Sequence, residues 1–378
     1  TTGMDVKFGD VLATLIGVLQ PPGATEQTAT VTVPPGTAPA VVDLTVTTPD
    51  GNSQVLNDAF AYLPPPAACG TDCDGDGLPD AWETPFGLDP NSASGQDGAG
   101  GDPDGAGVTN DREYLASTHP RGVYTRYFAE GAVAGSLQFE ARFAVVNPDA
   151  TRTARLWFRF LKTDGTVVTY FHALPPHTRY SLDPRDVPGL VGATQAEFST
   201  VLEADVAVIA DRTMAWGSGG YGAHAETSVS TPATVWYLAE GATHSGFDLF
   251  YLLQNATDTA AAATIKYLRP APLAPVTKSY TVAPHSRLNV WVNQEGAELA
   301  STDVSAEVRV TNGVPIIVER AMYLSKPGQM FKAGHDSVGI TVPTTTWYLA
   351  EGATGSYFDL FVLVETPNPP PVPIRAPY

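Results

Sequence analysis

Basic residues are the first scarcity in this chain. Its 378 residues carry 21 Lys and Arg against 40 Asp and Glu, a net charge of −19, and lysine is the rarer of the two cations. Nucleic-acid binding wants a basic face, so no nucleic-acid partner is expected, and an anionic membrane surface is an equally poor match. No apolar run reaches the roughly 18 residues that a membrane span needs, so no span is expected in this chain. No signal peptide is visible; either it has been removed or the chain starts downstream of it. Only two cysteines occur, Cys69 and Cys73. Without a third thiol or clustered histidines they make a poor zinc site. They are either a small disulfide, as an extracellular setting permits, or two free thiols. Catalytic signatures are missing as well. There is no Gly-x-Ser-x-Gly elbow and no His-Glu-x-x-His, and the glycine-rich Gly217–Gly222 stretch lacks the Lys-Ser/Thr of a phosphate cradle. No catalysis is expected.

What is abundant is Gly (35) and Pro (33), with many Thr, Val and Ala, the composition of short strands separated by turns. Into this is set one acidic segment. Eleven carboxylates lie from Asp72 to Glu113 with only Arg112 among them to oppose their charge. Asp72, Asp74, Asp76, Gly77, Leu78, Asp80 and Glu83 fit every position of the calcium-loop pattern D-x-D-x-D-G-x5-E. Calcium takes six to eight oxygens. The three aspartates supply positions 1, 3 and 5, Leu78 its carbonyl, Asp80 a direct or water-mediated contact, and Glu83 a bidentate carboxylate. A second loop offers Asp102, Asp104, the Val108 carbonyl, Asn110 and Glu113, but Ala106 stands at position 5, where no side chain can ligate. This loop should bind more weakly unless a neighbour such as Asp97 fills the gap. Short helices are expected at Ala81–Glu83 and Arg112–Leu115.

The remainder is repetitive. Tyr127-Phe-Ala-Glu-Gly-Ala132 recurs as Tyr237-Leu-Ala-Glu-Gly-Ala242, preceded by Trp236, and as Tyr348-Leu-Ala-Glu-Gly-Ala353, preceded by Trp347. Asn147 and Asn255, Arg179 and Arg287, Arg212 and Arg320, and His224 and His335 recur in phase. Alternation at Leu137, Phe139, Ala141, Phe143 and Val145, and at Val304, Ala306, Val308 and Val310, marks half-buried antiparallel strands. Seven or eight such strands per repeat fit a β-sandwich. The recurring Glu130, Glu240 and Glu351 are expected to be satisfied turn carboxylates, the first two paired with Arg212 and Arg320, rather than reactive groups. His172, His177, His224, His285 and His335 are expected to be structural.

Three resemblances organise the chain. Residues 1–63, with strands at Val6–Gly9, Thr28–Val33, Val41–Thr47 and Ala59–Tyr62, resemble a TIG-type immunoglobulin-like domain lacking its first two strands. Residues 64–122 resemble the thrombospondin type 3 and EF-hand-like calcium linkers of bacterial surface proteins. Residues 123–235, 236–346 and the shortened 347–378 resemble the tandem "WYLAEGAT" modules of bacterial secreted proteins. The fold class implied is all-β, tandem immunoglobulin-like sandwiches joined by a calcium-binding, loop-rich linker with short helices. The expected function is that of an extracellular or cell-surface structural or adhesive protein, stiffened by Ca2+, with self-association or other surface proteins as partners. Modules broken at both ends imply either a piece of a longer chain or strand addition between copies into a filament or surface layer. The rival reading is a non-catalytic glycan- or peptide-binding region of a secreted enzyme. It would need exposed aromatics among Trp157, Trp216, Trp236, Trp291 and Trp347, most of which sit in apolar patterns.

Overall fold

The computed structural model describes residues 4–19, 28–34, 40–62, 71–217, 222–350, 352–356, 359–367 and 373–375. The chain divides into two compact units, 1–75 and 76–378. Among the described residues the structure is all-β and of sandwich type, with two short helices. In the first unit a four-stranded antiparallel sheet runs in the order Val11–Leu12, Asp5–Phe8, Ala40–Thr47, Ser53–Tyr62. A separate pair joins Thr14–Leu19 to Thr28–Thr32. Alternation puts Val6 and Phe8 inside, where Phe8 meets Phe60 edge to face at 4.7 Å.

The second unit holds two sandwiches built to one plan. In repeat 1, one sheet orders Tyr124–Phe128, Gln195–Ala204, Ala154–Lys162 and Val167–Leu174; the other orders Arg179–Leu182, Phe139–Val146, Ile209–Trp216 and Gly222–Thr227. Repeat 2 repeats both orders, as Val235–Leu238, Ser305–Val310, Ala261–Leu268, Val276–Val282 and as Ser286–Trp291, Phe247–Asn255, Ile317–Lys326, Gln329–Val338. Every pairing is antiparallel, which allows one solvated face per sheet and produces the inside–outside alternation of the sequence. One departure has a local cause. Glu307 is buried where alternation places it outside, and it pairs with Arg309 of its own strand. In repeat 1 the short strand Ala132–Ala134 also bridges the two sheets.

Recurring residues mark the fixed points of this plan. Buried Asn147 donates to the carbonyls of Arg152 and Leu174, and buried Asn255 to those of Thr259 and Val282, so each closes the same corner of its sandwich. His177 and His285 both hold positive φ in the turn that follows. The glycine of the repeat motif is set by contact. A Cβ on Gly131 would lie 2.6 Å from the Phe198 ring, and one on Gly241 would lie 2.6 Å from the Val304 carbonyl oxygen. The third motif does not pack this way: Trp347 and Leu349 are 53% and 68% exposed, against 2% and 4% for Trp236 and Leu238. Among the described residues of 347–378 no strand forms.

The acidic segment is packed directly on repeat 1. Helices α1 (Asp80–Phe86) and α2 (Asn110–Ala116) meet through Trp82 and Tyr114, 5.4 Å between rings. Phe86 is buried against His119, Trp157 and Phe171, and the Trp157 indole donates to the Ser117 carbonyl at 2.7 Å. Beneath them Arg159 and Glu203 form a buried ion pair at 2.8 Å, and Glu203 also accepts from the His119 amide.

Overpacking a filled interior costs about 1–3 kcal/mol. Gly131→Ala should therefore lower stability by that order in denaturant unfolding, whereas Gly100→Ala, where nothing lies within 4 Å of the added carbon, should be near neutral.

Candidate functional site

Two constellations stand out, the acidic loops and a buried ionic joint between the repeats. In the loops, positions 9 to 12 form the first turn of a helix. Asp80 and Glu83 are three apart on α1, and Asn110 and Glu113 are three apart on α2, so each pair shares a face. Left-handed residues end both helices alike: Gly87 and Ser117 donate to carbonyls three residues back. Gly87 holds φ 71°, in the left-handed region that favours glycine, and a Cβ there would come 2.7 Å from the Arg155 guanidinium.

Asp72, Asp74 and Asp76 each bring one carboxylate oxygen within 4.8 Å of the others. Asp76 also ties the two loops together, accepting from the Leu78 and Ala99 amides at 2.8 and 2.5 Å. Leu78 and Glu83 are buried, and Asp80 is half-buried. In the second loop the Asn110 amide nitrogen is held by the carbonyls of Gln96 and Gly98. Asp102 Oδ1, Asn110 Oδ1 and Glu113 Oε2 are buried with no hydrogen-bond partner. Those orphaned oxygens belong to positions 1, 9 and 12, a donor set of the hard type calcium takes. Burial, then the charges of Asp104 and Glu203, push the Glu113 carboxyl up to about 8; burial also raises Asp104. Asp97, the neighbour that could fill the gap left by Ala106, brings one carboxylate oxygen to Arg121 at 3.2 Å. Val108 is exposed, and Ala106 contributes only its amide, to Asp104. Cys73 is disulfide-bonded, and Cys69 lies outside the described residues.

At the joint, Arg212 of repeat 1 is wholly buried. It meets Glu130 at 3.2 Å, Glu319 of repeat 2 at 2.8 Å, and Asp336 of repeat 2. Glu319 also accepts from the Ala129 and Glu130 amides, at 2.7 and 3.0 Å, while Tyr323 donates to Glu130 at 2.6 Å. Arg287 donates to the carbonyls of Gly131 and Phe198 and pairs with Glu197 at 3.0 Å. Around this the Trp216 indole donates to the Phe331 carbonyl and packs edge-on against Tyr323. Repeat 2 grips the motif loop of repeat 1 by its backbone amides, its backbone carbonyls and its carboxylate at once.

The expected pairing of motif carboxylate with recurring arginine holds in both repeats: Glu130 with Arg212, and Glu240 with Arg320 at 3.0 Å. The histidines join the same sites, His224 at 3.4 Å from Glu130 and His335 at 3.2 Å from Glu240. Their in-phase recurrence is visible in the sequence; their carboxylate partner is not. Glu319, Tyr323 and Asp336 were missed as joint residues, since nothing in one chain's periodicity says which module a strand's outer face meets. Glu351 lies outside the described residues. Among the tryptophans, Trp216 and Trp236 are buried, Trp157 is covered by Phe86, and Trp291 and Trp347 are exposed.

No family model matches the chain, and no curated protein matches it. Among solved structures, the crystal structure of Thermotoga maritima 1070 aligns with 29% of this chain and 96% of its own length, at 16% identity and a TM-score of 0.26, a likeness too slight to bear on fold or function.

Removing one partner from a buried ionic cluster leaves the others uncompensated, at a cost of about 3–5 kcal/mol. Arg212→Met should show that loss in denaturant unfolding, and Arg142→Ala on the open surface should stay within about 0.5 kcal/mol. Burial first, and the Glu319 charge second, hold Asp336 well above the ordinary carboxylate range, with Arg212 opposing them. A raised carboxyl contributes stability below its unfolded pKa and loses it as pH rises toward the folded value. The stability difference between wild type and Asp336→Asn should therefore shift toward the variant as pH rises above about 4; no shift would place the proton elsewhere.

Proposed function

We propose that this chain is an extracellular structural or adhesive protein whose β-sandwich modules are cemented into a stiff array and whose acidic segment is ordered by calcium. The observation that carries the reading is the joint, where a charged key from one repeat is buried in the motif loop of the other. Joints of this kind resist bending, because any tilt strands buried charges without partners. The Glu130, His224 and Asp336 side chains come close enough to suggest a reactive trio. Arg212 pairs with Glu130 and Asp336, Tyr323 donates to Glu130 and the Trp216 ring lies 5.3 Å from that of His224, contacts of a joint between repeats that favour cement over chemistry.

Calcium supplies neutralisation and cross-linking of the acidic loops. Asp72, Asp74, Asp76, Leu78, Asp80 and Glu83 would hold one ion. Asp102, Asp104, Asn110 and Glu113 would hold a second, with the Val108 carbonyl available at position 7. The disulfide at Cys73 suits an oxidising, extracellular setting. The resemblance to TIG, calcium-linker and "WYLAEGAT" modules points the same way.

Titration calorimetry should detect calcium with a dissociation constant on the order of 10⁻⁴ M, the range of extracellular modules. Glu83→Ala and Glu113→Ala should each remove one site, and the first should cost more affinity. Calcium should also protect residues 76–120 from protease while leaving the sandwiches unchanged. Absence of any calcium heat, with protease sensitivity unaffected by chelator, would sink the calcium half of the reading.

A further inference from the structure

We propose that Glu130 and His224 of repeat 1 and Asp336 of repeat 2 form a binding site for a divalent transition-metal ion of the zinc type, which ties the two repeats together inside the joint. The site goes beyond the structural reading above and is independent of the acidic loops. Three elements meet there: the motif loop carries Glu130, strand Gly222–Thr227 carries His224, and strand Gln329–Val338 of repeat 2 carries Asp336. One ligand atom from each lies within 4.8 Å of the other two. All three side chains are deeply buried, at 6%, 4% and 0% exposure. Both carboxyl groups have one oxygen held by the protein: Tyr323 donates to Glu130 Oε1 at 2.6 Å, and Arg212 donates to Asp336 Oδ2. Glu130 Oε2, Asp336 Oδ1 and both ring nitrogens of His224 are buried without a hydrogen-bond partner. Glu130 Oε2 has ion-pair contacts instead, with Arg212 at 3.2 Å and with His224 Nε2 at 3.4 Å. Buried polar atoms are nearly always partnered, so orphans clustered on three neighbouring side chains call for an occupant.

The chemistry of the donors selects the ion. One imidazole nitrogen with carboxylate oxygens suits zinc and its neighbours, whereas calcium takes oxygens alone. Burial lowers the His224 pKa, which keeps the ring neutral, the form that ligates. The 3.4 Å between His224 Nε2 and Glu130 Oε2 is close to the ~3.3 Å edge of a tetrahedron with bonds of about 2.0 Å. A water would complete four-coordination. Charge fits as well. One guanidinium, that of Arg212, faces the carboxyl groups of Glu130, Glu319 and Asp336. With all three ionised the joint carries an excess of negative charge that a divalent ion would neutralise. Arg287, which also acts on Glu130, is paired with Glu197. In the ion-free joint, burial and then the Glu319 charge hold the Asp336 carboxyl well above its ordinary range, and a bound ion would take the place of that proton. The Tyr323 and Arg212 contacts on the far oxygens are the outer-shell support that ligating carboxylates receive. The Trp216 and Tyr323 rings flank the imidazole at 5.3 and 6.0 Å.

The test is to strip the full chain with chelator in denaturant and refold it in calcium with or without one equivalent of zinc, so that the ion can enter before the joint closes over it. Wild type should retain one zinc per chain through gel filtration, and its unfolding midpoint in denaturant should rise with zinc concentration. His224→Gln should lose about tenfold or more in zinc affinity and show a midpoint indifferent to zinc. His244→Gln, on an exposed pair with Asp303, should bind zinc as wild type does. Cobalt(II) in place of zinc should give wild type the visible absorption of a four-coordinate site, a readout that does not depend on any variant folding. A wild type that retains no zinc and shows no such absorption, its orphaned atoms then met by protons and water, overturns the proposal. So does zinc retained equally by His224→Gln, which would place it on surface histidines. Either failure leaves the ion-paired joint and the structural reading standing, whereas loss of calcium binding counts against that reading alone.

Discussion

A guanidinium buried among three carboxyl groups drawn from two modules is the contact on which the rest of the second unit depends. Arg212 cannot be dehydrated alone, and neither can Glu130, Glu319 or Asp336; each is tolerable only with the others in place. Compared with an apolar interface of the same shape, such a cluster gains little stability. What it gains is register. Glu319 reaches two adjacent amides and Arg212 together, and Trp216, Tyr323 and Phe331 pack against one another beside it. The apolar cores of the two sandwiches run into one cluster through this point.

The repeat motif is readable in these terms. Its glycine is small because the chain crosses Phe198 in one repeat and Val304 in the other at van der Waals limits. Its glutamate is held by the arginine and histidine of its own repeat, which shapes the loop whether or not a neighbour is present. The groups that reach across belong to the outer face of the next module and vary more, as Asp336 against Ala225 illustrates. Inner latch and outer key are thus separate layers, and the first recurs in both repeats.

Much of this was legible from sequence because it is local or periodic. The sandwiches follow from two-residue alternation, α1 and α2 from the loop pattern that leads into them, and the Glu130–Arg212 pair from in-phase recurrence. The misses share a cause. Glu319 sits beside Arg320 in sequence, yet the two side chains leave opposite faces of one strand, one toward repeat 1 and one toward Glu240. Period-two logic assigns faces but cannot say what a solvated face will meet. The Asp97–Arg121 pair was hidden for the same reason: it brings a residue from beyond α2 back onto the second loop. The packing of Phe86 on Trp157 and Phe171 was likewise invisible, since it joins the acidic segment to strands seventy or more residues away.

The central claim is that the two repeats are one cooperative body locked by Glu319 on the Ala129 and Glu130 amides. Native-state hydrogen exchange at those two amides tests it most directly, with wild type compared against Glu319→Gln. Global-level protection in wild type, falling by orders of magnitude in the variant while the strand interiors of each repeat keep theirs, is the result expected of a locked joint. Fast exchange of Ala129 and Glu130 in wild type, at the rate of an open loop, would contradict it.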